Sequence, residues 1–211
     1  MPDRAHEAAA ILLRVGAVNI NAEEWFTYTS GIKSPIYTDN RLLISFPEER
    51  QRIVTLLAAA ADEAVGLDNV DVVAGTATAG IPFAAWLADR LQRPMVYVRG
   101  SAKAHGLARQ IEGRTAPGER VVVVEDLVTT GGSSLATVDA LAAGELTVLC
   151  CLAIFSYGFE AARQAYASRG VTLVSLTTLD VLLDVAIAGK QITPTAANTV
   201  LAWAQQRERA G

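Results

Sequence analysis

Apolar positions recur along this chain in two rhythms, and the alternation between them predicts the fold. Residues 4–15 carry helical spacing, and Gly16 is a suitable stop, because a glycine just past the last turn closes many helices. Pro47-Glu48-Glu49 opens a second helix, to about residue 65, with proline and acids in its first turn. Short β-branched runs then alternate with helical ones. The predicted elements are a strand at 70–74, a small-residue turn at 75–80, a helix at 81–91 and a strand at 95–98. They continue with a strand at 121–124, a helix to about 143, a strand at 147–155, a helix at 160–167 and a strand at 171–176. Two helices, near 179–188 and 194–207, finish the chain. Strands alternating with helices predict an α/β fold, an open, mostly parallel sheet flanked by helices.

Two segments break the rhythm. Residues 25–41 are rich in β-formers and interrupted by Ser30-Gly31 and Ser34-Pro35, which predicts a hairpin-like lobe. Residues 100–120 hold Gly100, Gly106, Gly113, Pro117 and Gly118 and read as no element. Connections of that length are uncommon in compact domains and often serve as lids or binding loops. The expected organisation is one domain over residues 1–211. Residues 1–46 would form an N-terminal helix and hood over the sheet's carboxyl edge, where open α/β sheets bind ligands. Residues 47–211 would form the core, with a mobile loop at 100–120.

Composition narrows the function classes. With 211 residues, 51% hydrophobic and 19% charged, the chain can bury a substantial core. A net charge of -4 argues against a general nucleic-acid binder, so any anion site must be locally basic. Cys150 and Cys151 are adjacent, and neighbours on a strand face opposite ways, which predicts two unpaired, buried thiols in a reducing compartment. Residues 8–13 are apolar but Arg14 interrupts them, no basic leader precedes them, and nothing reaches membrane-spanning length. The expectation is a cytoplasmic protein without a membrane partner.

The stretch 121–134 reads Val-Val-Val-Val-Glu-Asp-Leu-Val-Thr-Thr-Gly-Gly-Ser-Ser. Four valines suit a strand covered on both faces. Glu125 and Asp126 are costly to bury and predict a solvated crevice at the strand's end. Gly131 and Gly132 allow close backbone approach, and Thr129, Thr130 and Ser133 add hydroxyls and N–H donors at a helix start, a phosphate-favouring arrangement. The acids suit hydroxyls or a metal-bound sugar. No Gly-Lys-Ser/Thr follows and Gly-x-Gly-x-x-Gly is absent, so neither a Walker loop nor a dinucleotide fingerprint is present, and hydride transfer is disfavoured. An ordinary strand, acidic turn and capped helix is the plainer alternative.

Three further constellations accompany it. Arg99, Lys103, His105 and Arg109 place four potential cations on the glycine-rich loop, suited to a dense anion such as diphosphate, or simply to a solvated basic loop. Gly75-Thr-Ala-Thr-Ala-Gly80 is a strand-to-helix turn that admits a ligand to the backbone or makes a tight connection. Residues 30–41, with Tyr37 and Thr38, mix aromatic and polar groups, suiting a planar heterocycle or a small structural hairpin.

In order, Phe26-Thr-Tyr-Thr-Ser-Gly-Ile-Lys-Ser-Pro-Ile-Tyr, Gly75-Thr-Ala-Thr-Ala-Gly-Ile-Pro, Tyr97-Val-Arg…Lys103-Ala-His-Gly…Ile111-Glu-Gly and Glu125-Asp-Leu-Val-Thr-Thr-Gly-Gly-Ser resemble the orotate phosphoribosyltransferase family, of the type I phosphoribosyltransferase fold. Ile154-Phe-Ser-Tyr-Gly158 fits as well. The resemblance implies transfer of phosphoribose from phosphoribosyl diphosphate (PRPP) to orotate in pyrimidine synthesis, with release of diphosphate. It implies that Arg99, Lys103 and His105 contact the diphosphate. Glu125, Asp126, Leu127, Val128, Thr129, Thr130, Gly131, Gly132 and Ser133 would cradle the ribose and its 5′-phosphate. Thr129, Tyr37 and Thr38 would lie near orotate. Lys103, His105 and Asp126 would serve catalysis. It further implies Mg²⁺, bound mainly through PRPP rather than through a protein cage, and a homodimer with shared active sites in which the Lys103–His105 loop completes the partner's site. This sequence departs from many members at Gly100, Ser101 and Ala102, where a lysine follows the loop arginine, and at Thr29 and Ala79. Arg109 is the candidate replacement charge. Two competing readings are a phosphoribosyltransferase for another nucleobase and a non-catalytic PRPP-sensing regulator.

Overall fold

The structure, a computed structural model, describes residues 3–28, 31–100 and 110–210. The chain divides into two compact units: residues 51–176, and residues 1–50 together with 177–211. The terminal helices, expected with the sheet core, thus group with the N-terminal segment.

The larger unit is built on a six-stranded sheet. In chain order its strands are β5 (Val72–Thr76), β6 (Met95–Val98), β7 (Ile111–Glu112), β8 (Arg120–Val128), β9 (Thr147–Ser156) and β10 (Thr172–Thr178). Their spatial order is β10-β9-β8-β5-β6-β7. The pairs β5–β6, β5–β8 and β8–β9 are parallel, and β7 runs antiparallel to β6. The connecting helices are α3 (Gly80–Leu91), α4 (Gly132–Ala143) and α5 (Glu160–Ala167). All five residues of β5 are buried, as are Val121–Val124 of β8 and Phe83 and Leu87 of α3. Burial on both faces explains why these strands read as continuous apolar runs rather than as alternating ones. At the foot of the sheet, Arg120 donates to Asp71 through Nε at 2.9 Å and Nη2 at 2.9 Å, and the guanidinium holds that carboxyl well below its usual range.

In the smaller unit, α1 (Arg4–Arg14) begins at Asp3, whose carboxylate accepts from the His6 amide at 2.9 Å, and closes with Gly16 at a φ of 70°. Strand β1 (Val18–Ile20) pairs antiparallel with β4 (Ile36–Thr38), and β2 (Phe26–Thr27) pairs antiparallel with β3 (Lys33–Ser34). Helix α2 (Pro47–Val65) begins in this unit, and its residues 51–65 belong to the larger one. Helix α6 (Leu179–Ala188) packs on α1, and α7 (Pro194–Ala210) is tied to β3 by the Trp203 indole, which donates to the Lys33 carbonyl at 2.9 Å.

Several predicted bounds shift for reasons that are not local. Strand β8 does not stop at Val124. It continues to Val128 because the ten-residue β9 pairs with it throughout, with Glu125 opposite Ala153 and Val128 opposite Ser156. The 100–120 segment is not structureless over its described part: Ile111–Glu112 forms β7 on the sheet edge. Strand β1, which no run of β-formers announces, exists through its pairing with β4. Cys150 and Cys151 are buried and unpaired. Burial pushes the Cys150 thiol up to about 12 and raises that of Cys151 as well. Among the described residues no helix is long and apolar enough to cross a membrane.

Candidate active site

Parallel pairing brings the ends of β5, β6 and β8 to one edge. Register places Thr76 beside Val98 and Gly75 beside Val124. The residues that follow are therefore neighbours: the turn 77–79 after β5, Arg99 after β6, and the acids and turn that end β8. Three of the four predicted constellations contribute to this edge.

Glu125 is 4% exposed. The solvated crevice expected for both acids holds only in part, since Asp126 alone is half-buried while Glu125 lies within the sheet. Its Oε1 accepts from the Asp126 amide at 3.0 Å and its Oε2 from the Ser133 hydroxyl at 2.9 Å. Burial, and then the negative neighbour Asp126, hold Glu125 well above the usual carboxylate range. A cation placed against this pair would oppose both causes of the shift. Leu127 is half-buried, and Val128 is buried and accepts from the Tyr157 amide at 3.0 Å.

Thr129 and Thr130 are exposed, and so are Gly132 and Ser133 at the start of α4. Gly131, in the left-handed region with φ 86°, turns the chain into the helix. No side chain caps that start. Uncapped N–H groups at the positive end of a helix, flanked by exposed hydroxyls, favour an anion. Ser133 gives its hydroxyl to Glu125 and so ties the start of α4 to the buried acid.

In the turn after β5, the glycines at the two ends make the tight connection that was one of its two expected roles. A methyl built on Gly80 runs into the Val124 carbonyl oxygen, and one on Gly75 comes within 3.0 Å of Ile81 Cα. These two glycines let α3 close on β8 and β5.

Arg99 is partly buried, with its backbone amide donating to Gln110 at 2.9 Å and its Nη1 lying 3.6 Å from Glu112 Oε1. Glu112 comes from β7, the strand missed in the sequence, and holds the arginine at the edge. Lys103, His105 and Arg109 lie outside the described residues, as do Thr29, Ser101 and Ala102.

In the smaller unit, Tyr37 packs against Phe26 at 5.9 Å and Tyr28 at 6.0 Å between ring centroids. Thr38 follows it on β4, so the two side chains project from opposite faces of the ribbon. The Thr38 hydroxyl is buried without a hydrogen-bond partner.

Sequence reasoning missed a buried set beneath this turn: Ser134, Tyr166 and Cys151, joined by hydrogen-bond distances from the Tyr166 hydroxyl of 2.5 Å to Ser134 Oγ and 3.4 Å to Cys151 Sγ. No local signal marks them, because the contacts span 32 and 15 residues.

Comparison with known proteins agrees with this layout. The family described as the phosphoribosyl transferase domain matches residues 48–180. The chain is 47% identical over 205 residues to the orotate phosphoribosyltransferase of Listeria monocytogenes, covering 97% of each. It is 45% identical over 206 residues to that of Coxiella burnetii, covering 98% of each. The crystal structure of orotate phosphoribosyltransferase from Aeropyrum pernix superposes with a TM-score of 0.73 at 37% identity, covering 83% of this chain and 96% of that one. This chain belongs to the orotate phosphoribosyltransferase family.

Proposed function

We propose that the protein transfers the phosphoribosyl group of PRPP to orotate, giving orotidine 5′-phosphate and diphosphate in pyrimidine synthesis. The observation that carries this reading is the continuity of β8 into α4, where a pair of acids, one buried and one half-buried, is followed by an exposed, uncapped helix start. That single edge offers complementary partners for both a ribose and its 5′-phosphate. Relatives matched over nearly their whole length bear the name of this activity.

In the reaction, the N1 lone pair of orotate forms the bond to the anomeric carbon while the bond to the diphosphate oxygen breaks, with inversion at that carbon. The ring passes through an oxocarbenium-like state, and the protein's work is positioning and charge stabilisation. Thr129, Thr130, Gly131, Gly132 and Ser133 seat the 5′-phosphate, and Glu125 and Asp126 hold ribose hydroxyls and stabilise cationic character in the ring. Leu127 and Val128 carry the backbone between these two halves. Arg99, Lys103 and His105 receive the diphosphate, with Arg109 a supplementary charge. Thr129 and the Tyr37–Thr38 segment contact orotate; since Tyr37 and Thr38 face opposite ways, one contributes its side chain and the other its backbone.

The residues also fit Mg²⁺ that arrives on PRPP. Glu125 and Asp126 are hard oxygen donors of the kind magnesium uses alongside substrate phosphates and water. When bound, the ion neutralises the diphosphate and organises the ribose hydroxyls. The protein acts as a cytoplasmic homodimer, each subunit's Lys103–His105 loop completing its partner's site.

The test is the fall in orotate absorbance on mixing protein, orotate, PRPP and Mg²⁺, omitting each in turn and substituting uracil or a purine base for orotate. Orotate alone should react. Turnover of another base in its place, or PRPP binding without diphosphate release, would reject the assignment. Lys103→Ala should lower turnover by about 10²–10³-fold, the loss typical of removing one charge-stabilising donor, with the thermal transition unchanged. Near-normal turnover would remove Lys103 from the reaction.

A further inference from the structure

Beneath the exposed face of the phosphate seat lies a buried polar chain that the proposed reaction does not use directly. Tyr166, on α5, is fully buried. Its hydroxyl lies 2.5 Å from Ser134 Oγ, and the Ser134 hydroxyl in turn lies 3.3 Å from the Gly131 carbonyl oxygen. With one proton each, Tyr166 donates to Ser134 and Ser134 donates to Gly131. Cys151 Sγ, from β9, sits 3.4 Å from the same phenol oxygen and completes the chain. The tyrosine ring also braces the turn sterically, since its Cε2 lies 3.1 Å from where a side chain on Gly131 would start.

Gly131 is the pivot of the seat. Its left-handed backbone aims the first amides of α4, and its carbonyl accepts from the Leu135 amide at 2.8 Å. An anion site made of backbone N–H groups is only as good as the orientation of those groups, because a preorganised donor need not reorganise when the ligand arrives. A polar group buried this deeply is costly unless satisfied, so the side chains hold one another in a single arrangement. We propose that Tyr166 is a positioning residue for the 5′-phosphate, acting through Ser134 to hold Gly131 and the α4 amides in their binding geometry. The inference deepens the reading of this turn as the phosphate seat and rests on it.

The test compares the unmodified protein with Tyr166→Phe, which keeps the ring and removes the hydroxyl. Calorimetric titrations would use ribose 5-phosphate and, separately, inorganic diphosphate. Tyr166→Phe should weaken ribose 5-phosphate about five- to tenfold, the scale of one lost hydrogen bond, and leave diphosphate affinity unchanged. In steady state the KM for PRPP should rise while kcat and the KM for orotate hold. Ser134→Ala should have a similar effect, and the double variant should be no weaker than the worse single one, because both remove the same link. A general loss of stability would move both ligands alike and would overturn the proposal, as would unchanged affinity for ribose 5-phosphate in Tyr166→Phe. If the unmodified protein itself bound neither ligand, the reading of the turn as a phosphate seat would fail, and this inference with it.

Discussion

Two strand-to-helix turns lie at the same edge of the sheet, look alike in the sequence and use their glycines differently. The turn between β5 and α3 has small residues from Gly75 to Gly80, and its glycines let a helix backbone close on the strand beside it. The turn between β8 and α4 has Gly131 in a left-handed conformation and leaves exposed hydroxyls and an uncapped helix start facing outward. Glycine at the first lets two backbone segments meet in a packed contact. Glycine at the second shapes an opening. The two cases separate only when the atom nearest the missing side chain is known.

The comparison breaks most visibly at Gly80. Gly80→Ala should cost about 3 kcal/mol or more, because the obstacle is a backbone carbonyl that cannot rotate away. Thermal unfolding should register this as a drop of about 6–12 °C; an unshifted transition would mean that α3 does not press on β8. Gly131→Ala should cost less stability, about 1–2 kcal/mol for a side chain in the left-handed region beside the Tyr166 ring, but should also weaken PRPP binding. If binding survived intact, the turn's shape would not matter to the ligand.

Glu125 supplies the third contrast, one of charge rather than shape. Its folded titration point lies above the unfolded one, so the folded chain is favoured at low pH and loses that advantage as pH rises from the ordinary carboxylate range through the raised value. Glu125→Gln cannot ionise. It should therefore melt about 2–4 °C higher than the parent near pH 8, with the gap closing toward pH 5, while losing activity. A gap independent of pH would show that Glu125 carries no unfavourable charge. The smallest effect is expected at the exposed Thr129, where Thr129→Ala should change stability by less than about 0.5 kcal/mol and reveal itself only in ligand affinity. Marked destabilisation there would make the second turn a packing device like the first.

Much of the fold was legible because its signals are local. Helix α2 begins at Pro47 and ends at Val65, and β6, α5 and α6 occupy the predicted residues, since periodicity, proline and first-turn acids act within a few residues. The acid pair and the hydroxyl-rich turn were legible for the same reason. Strands β1 and β7 were not: runs of three and two residues carry no periodicity and exist through their partners. The burial of Glu125 was hidden because it depends on β9 extending to Ser156, and the tie from Tyr166 to Ser134 was hidden because nothing near either residue marks the other. Lys103, His105 and Arg109, the cations that the sequence set most plainly against a diphosphate, lie outside the described residues and rest on their chemistry.

By itself the chain determined the order of its elements, the chemistry at the end of its most apolar strand and the family to which that pattern belongs. These follow from propensities and spacings that act over a few residues. Only the tertiary structure decided which glycines pack against backbone and which turn the chain into a helix, that one of two adjacent acids is buried and the other half-open, and that a tyrosine two elements away braces the turn before α4. Those outcomes depend on which backbone lies across the gap, a question of long-range packing that no local pattern encodes.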